Sequence, residues 1–240
     1  MTKKTSAPAA LVRVQTSQGS TTQAPVRQRN PRGQGAHLRQ EILDGAAAML
    51  EATGNEASIT LRSVARHIGV AAPSVARHFA DRAEIIDAVV AVELTQIRDA
   101  MVAANDAHRG DPPAQLLAIT RSFYGYGRAY PNRYRVVFER RYLPLWDDEQ
   151  RVMETTAPLI TETFTLVVTA IEQCVAVGAS TSSDPFADAV GLWCAVHGLI
   201  ALPPTIPSFP WPEPDDLLSA FLARITCLAA PSDPPVRTTR

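Results

Sequence analysis

At 240 residues and 46% apolar content, the chain can bury a real core in one large domain or two smaller ones. The formal net charge of −1 hides an asymmetry. Residues 1–40 carry seven basic side chains (Lys3, Lys4, Arg13, Arg27, Arg29, Arg32, Arg39) and no acid, leaving 16 basic against 24 acidic residues in the rest. No signal-peptide core opens the chain and no apolar run approaches the ~18 residues of a membrane span, so the sequence predicts a cytoplasmic protein with no membrane contact.

The three cysteines (Cys174, Cys194, Cys227) are widely spaced, each within an apolar stretch. They read as reduced, buried thiols, with neither zinc spacing nor an even disulfide count. The basic N-terminal arm suggests a nucleic-acid contact. A tail chosen for solubility accounts for it equally well.

Residues 1–35 are rich in Ser, Thr, Gln, Pro, Gly and Arg and read as a disordered basic arm, and 230–240 as a disordered tail. Between them the pattern is helical throughout. Leu38, Ile42, Ala46, Met49 and Leu50 fall on one helix face that stops at Gly54. Asp81, with Glu84 three residues on, opens a helix with apolar positions at Ile85, Val89, Val92, Ile97 and Met101. Pro112-Pro113 opens the next, Pro131 breaks it, and a shorter helix follows. A long apolar segment ends at Gly178, and Pro158 within it should start, kink or break a helix. Two more helices, 184–202 and 213–229, close an all-α fold of about nine helices.

The stretch "VARHIGVAAPSVARHF" (64–79) repeats four letters, with histidines at 67 and 78. One continuous helix would align those histidines as a metal face. It would also hold Gly69 and Pro73 in its interior, at about 1 and 3 kcal/mol. Placing Gly69 in a turn and Pro73 in the first turn of a second helix removes both penalties. Thr60 then caps a helix from Leu61 to Ile68, Gly69-Val70-Ala71 turns, and a second helix runs over 72–79. Leu61, Val64, Ala65, Ile68, Val70, Val75 and Phe79 form the buried set. This is a helix-turn-helix, whose second helix presents Ser74, Arg77 and His78 outward, fit for a DNA major groove. His67 becomes a surface residue.

Thr60, Val64-Ala65, Gly69-Val70, His78-Phe79, Arg82 and Glu84 together resemble the pattern of TetR-like transcriptional regulators, and "RQEILDGAAAMLEATG" resembles that family's first helix. The resemblance implies a DNA-binding domain at 36–90. Its candidate DNA contacts are Arg39, Thr60, Arg62, Ala72, Ser74, Val75, Arg77, His78 and Arg82. The sequence departs from the pattern in three places. Ala71 stands where a capping Ser is usual, Ala76 where a phosphate-contacting Tyr is usual, and Arg82 where a Lys is usual, which keeps the charge. The basic arm, reaching a neighbouring minor groove, offers a substitute anchor.

"GLWCAVHGLIAL" (191–202) resembles the Trp-x-x-x-His-Gly signature of one C-terminal domain type of the same family. That implies a ligand-binding and dimerisation domain over 91–229, with helices 184–202 and 213–229 pairing across a two-fold axis. The aromatic concentration supplies candidate ligand contacts: Phe123, Tyr126, Tyr134, Phe138 and Phe164, with Trp146 nearby. Trp193 and His197, one turn apart, join them, although a histidine on an apolar face is commonly a hydrogen-bonded core residue. Gly125 and Gly127 leave room for a ligand or for helix contact. Asp147, Asp148 and Glu149 suit a helix start better than a metal.

The resemblance thus implies a homodimer that binds a palindromic double-stranded operator and is released by a small molecule, most simply a repressor. No cofactor or metal is expected, and no catalytic constellation is present: no nucleophile elbow, His-Glu metal box or phosphate loop. The alternatives are an all-α enzyme, or an interaction protein, in which the helix-turn-helix is only structural.

Overall fold

The computed structural model describes residues 35–138 and 148–229. The basic arm up to residue 34, the tail 230–240, Trp146 and Asp147 lie outside these residues. Within them the chain is all-α. Its helices are α1 (Gly35–Thr53), α2 (Leu61–His67), α3 (Ala72–Ala76), α4 (Arg82–Asp106), α5 (Pro112–Ala129), α6 (Pro131–Phe138), α7 (Asp148–Ala176), α8 (Pro185–Thr205) and α9 (Pro214–Ile225).

Side-chain oxygens mark the helix starts. Asp81, Asp111 and Asp184 accept from the backbone N–H groups of Glu84, Ala114 and Ala187, which have no carbonyl partner within their own helices. Gly54 ends α1 at φ +60°, a conformation free of strain only without a Cβ. Tyr130 alone separates α5 from α6. The chain stays helical through Pro158, which sits inside α7 rather than at a start or a break. The loss there is one N–H donor to the preceding turn. The C-terminal helix is shorter than its apolar pattern suggested. It ends at Ile225, and the chain then turns through Cys227 at φ +51°.

Two apolar cores result. The first joins α1, α2, α3 and the N-terminal half of α4, with Ile42, Leu50, Ile59, Val64, Val75, Phe79 and Ile85 almost wholly buried. The second joins the C-terminal half of α4 to α5, α7, α8 and α9 around Ile97, Leu116, Ile119, Ile171 and Leu218. Each such side chain contributes about 1.5–3 kcal/mol relative to exposure. Three helices serve both cores, α7 among them through Leu159 and Ile160 on the first and Ala170 and Ile171 in the second. α4 passes from one to the other, and α6 puts Val136 and Val137 into the first but Tyr134 into the second.

Two expectations are corrected. Cys174 is buried, where burial raises its thiol pKa to about 11, but Cys194 and Cys227 are exposed. Cys194 falls on an outward face of α8 and Cys227 in the turn after α9. Also, the segment Thr156–Ala176 and α8 are each long and apolar enough, by composition, to cross a membrane. Counting unbroken apolar runs overlooked them because Thr, Glu and Gly interrupt a run without lowering a helix-long mean much. Both pack into the second core, through Ala170, Ile171 and Cys174 and through Ala189, Leu192 and Val196.

Candidate nucleic-acid interface and ligand cavity

Helix α2 is fixed by a reciprocal cap. Thr60 Oγ1 accepts from Ser63 N at 3.0 Å, and Ser63 Oγ accepts from Thr60 N at 2.8 Å. Gly69 turns at φ +72°, and Val70 N donates to Ala65 O at 2.9 Å. Pro73 stands in the first turn of α3. That helix covers Ala72–Ala76 rather than the expected 72–79, because Arg77 is already its C-cap. His78 and Phe79 stay in place through N–H bonds to Val75 O at 2.9 and 3.1 Å. The expected buried set holds, with Leu61, Ile68 and Val70 only partly buried.

Among the expected DNA contacts, Thr60, Arg62, Arg77 and Arg82 are exposed, and Ala72, Ser74 and His78 are half-buried. Arg77 Nη2 donates to Ser74 Oγ at 3.3 Å. Val75 is fully buried, so its side chain holds α3 to the domain and has no outward surface. Exposed Arg39 places its guanidinium 5.1 Å from the Phe79 ring centre, a cation–π contact that brings an α1 cation beside the end of the α3 turn. The sequence reading missed Gly45 on α1. A Cβ there would run into the Ile68 side chain, so glycine is what lets α2 lie against α1. The available signal was a lone glycine inside an otherwise helical pattern.

The second core contains a cavity between α4, α5, α7 and α8. Its walls include Phe123, Phe138, Phe164 and Trp193, four of the seven expected ligand contacts, with Ile97, Leu192 and other aliphatic groups. Among the described residues the lining carries no charged side chain. Its two hydroxyls are committed to their own helices: Thr120 Oγ1 donates to Leu116 O and Thr163 Oγ1 to Leu159 O, each at 2.7 Å.

Tyr134 and His197 stand behind this wall. The Trp193 indole N–H donates to His197 Nε2, and the Tyr134 hydroxyl bonds His197 Nδ1. An indole N–H can only donate, so Nε2 is the bare acceptor and Nδ1 carries the ring proton of the neutral form. Burial lowers the His197 pKa to about 4, consistent with a neutral ring. Phe123 and Phe138 pack on the imidazole at 5.2 and 5.0 Å between ring centres. His197 is therefore a hydrogen-bonded residue behind the wall.

Tyr126 turns away from the cavity. Its hydroxyl donates to Glu93 Oε2 at 2.8 Å, and burial, then the Glu93 charge, raises its pKa. The density of aromatics along α5 did not reveal which of its rings face the cavity. Gly127 provides helix contact, since a Cβ there would lie 2.7 Å from Ile200 Cδ1, while Gly125 faces open space. Trp211 docks on its own loop, donating to Ile206 O at 3.0 Å and packing on Phe209.

Among the described residues no group of three His, Cys, Asp or Glu side chains could hold a metal ion. A profile described as the tetracyclin repressor-like C-terminal domain matches residues 116–225. No curated protein matches in sequence. Solved structures do. A protein of unknown function from a Rhodococcus species has TM-score 0.67 at 20% identity, covering 80% of this chain and 96% of that one. The TetR family transcriptional regulator PfmR from Thermus thermophilus has TM-score 0.59 at 15% identity, covering 79% and 98%. The fatty acid degradation regulator FadR from Bacillus halodurans has TM-score 0.61 at 10% identity, covering 83% and 97%. That profile assigns residues 116–225 to a tetracyclin repressor-like C-terminal domain, and the fold over most of the chain is the one these solved structures share.

Proposed function

We propose that the protein is a dimeric repressor that binds a palindromic operator through residues 36–90 and is released by a small molecule held within residues 91–229. The observation that carries this reading is the α2–α3 unit. Its inner side chains are locked in the first core, while Arg77, Arg39, Arg62 and Arg82 are exposed and Ser74 and His78 half-buried. Arginine and serine on such a surface reach base edges and phosphates. The basic arm adds phosphate contacts at the same end of the chain.

Dimerisation through α8 and α9 is supported by an uncovered stripe on α8. Phe186, Val190 and Leu202 are exposed there at 62%, 39% and 46%. Two copies would set their recognition helices about 34–36 Å apart, one turn of DNA. Ligand response is supported by α6. Asn132 Nδ2 donates to Glu51 O of α1 at 2.7 Å, while Phe138 lines the cavity and Tyr134 bonds His197. A ligand that displaces the cavity wall would move α6, and α6 would carry α1 with it. The place of action would be the cytoplasm, with no metal, cofactor or catalytic step.

A mobility-shift assay with the region upstream of the protein's own gene tests the reading. A sequence-specific complex that weakens steeply with salt is expected. Failure to bind that region, or any selected sequence, would leave the helix-turn-helix as a structural unit only.

A further inference from the structure

The cavity's chemistry restricts its occupant. Among the described residues its lining carries no charged side chain, and the two threonine hydroxyls donate to carbonyls of their own helices. A carboxylate or ammonium inside would lose its hydration with no partner to replace it. The nearest strong donor, the Trp193 indole N–H, is already spent on His197 Nε2. The empty space is about 570 Å³ with the open mouth included.

Resting on the effector role proposed above, we infer that the cavity takes an uncharged molecule made mostly of hydrocarbon, and that the Trp193–His197 bond makes the site blind to hydrogen-bonding groups. The pair does this by closing on itself. Trp193 presents ring carbon to the cavity while His197, held from behind by Tyr134, occupies the one N–H that could select a polar ligand. His197 is here a positioning residue that acts through Trp193.

Binding of small probes to the full-length protein, without DNA, tests this. Isothermal titration with octanol, methyl heptyl ether, octanoate and octylammonium is sufficient. Octanol and the ether should bind within about three-fold of each other, and the charged pair at least about ten-fold more weakly at pH 7. Octanoate or octylammonium matching octanol would overturn the inference, as would no saturable binding by any probe. Trp193→Phe frees the His197 Nε2 acceptor, so octanol should gain at least about five-fold over the ether. An unchanged ratio in a variant with the parent's helical circular dichroism would remove the selective role. Because no DNA is present, these outcomes are independent of whether the protein binds an operator.

Discussion

The Arg133 guanidinium lies 3.3 Å from the Glu93 carboxylate, whose side chain is only 2% exposed, and the same guanidinium donates to Ala47 O of α1 at 3.2 Å. One arginine on α6 thereby ties the α4 helix, which runs through both cores, to the first helix of the DNA-binding end. Glu93 is satisfied on its other oxygen by Tyr126 of α5. Four helices meet at this pair.

Breaking that pair on one side leaves a buried carboxylate short of its cation. Arg133→Met is expected to lower unfolding free energy by about 3 kcal/mol in urea titration. Replacing both partners with methionine should cost less than Arg133→Met alone, because no buried charge remains. A single variant as stable as the parent would mean that the carboxylate takes up a proton or reaches water.

The pH dependence of stability should carry the signature of His197. Its folded pKa is lowered from 6.5 to about 4 by burial. Between those values the unfolded chain binds a proton that the folded chain refuses, so stability is complete above pH 6.5 and falls as pH drops towards 4. The loss is roughly 3 kcal/mol across the window. Protonation would also set a second N–H against the Trp193 donor. The slope should be largely absent in His197→Gln, measured by urea unfolding at several pH values.

A methyl group at position 45 would collide with Ile68. Gly45→Ala is expected to cost about 1–3 kcal/mol and to displace α2, which carries α3. Gly127→Ala, whose Cβ would meet Ile200, should cost a similar amount in the second core. Thermal unfolding should fall in both variants. Operator affinity at a temperature where both remain folded should fall in the first only.

The N-cap residue of α3 is Ala71, which has extended backbone at φ −73°, ψ 138° and makes no side-chain cap bond. Ala71→Ser supplies a hydroxyl for the uncapped N–H groups and is expected to add about 0.5–1 kcal/mol of stability. Thermal unfolding of the variant measures it. A tighter operator complex should accompany the gain, since α3 would be held more firmly.

Arg77 and Arg82 should divide between specificity and affinity. Arg77→Ala is expected to reduce discrimination between operator and random DNA, by about 1–3 kcal/mol if it reads a base edge. Arg82→Ala should weaken all sequences alike and reduce the salt slope by about one. Fluorescence anisotropy over a salt series separates the two effects.

The helix-turn-helix was legible because its determinants are local. Thr60 three residues before Ser63, Gly69 at a left-handed turn and Pro73 in a first helical turn act through backbone geometry within a few residues. The helix starts at Asp81 and at Pro112-Pro113 were readable for the same reason. The cavity was only partly legible. Composition gathered the aromatics, but which way each ring points depends on helices far apart in the chain. Phe123 and Phe164 converge on the cavity, Tyr126 turns to Glu93, and His197 steps behind Trp193. The roles of Gly45 and the Glu93–Arg133 pair were likewise not singled out, and Gly127 was left open between ligand room and helix contact. Each depends on a partner across a helix interface, at Ile68, Ile200 or forty residues along the chain, and no local propensity encodes that meeting.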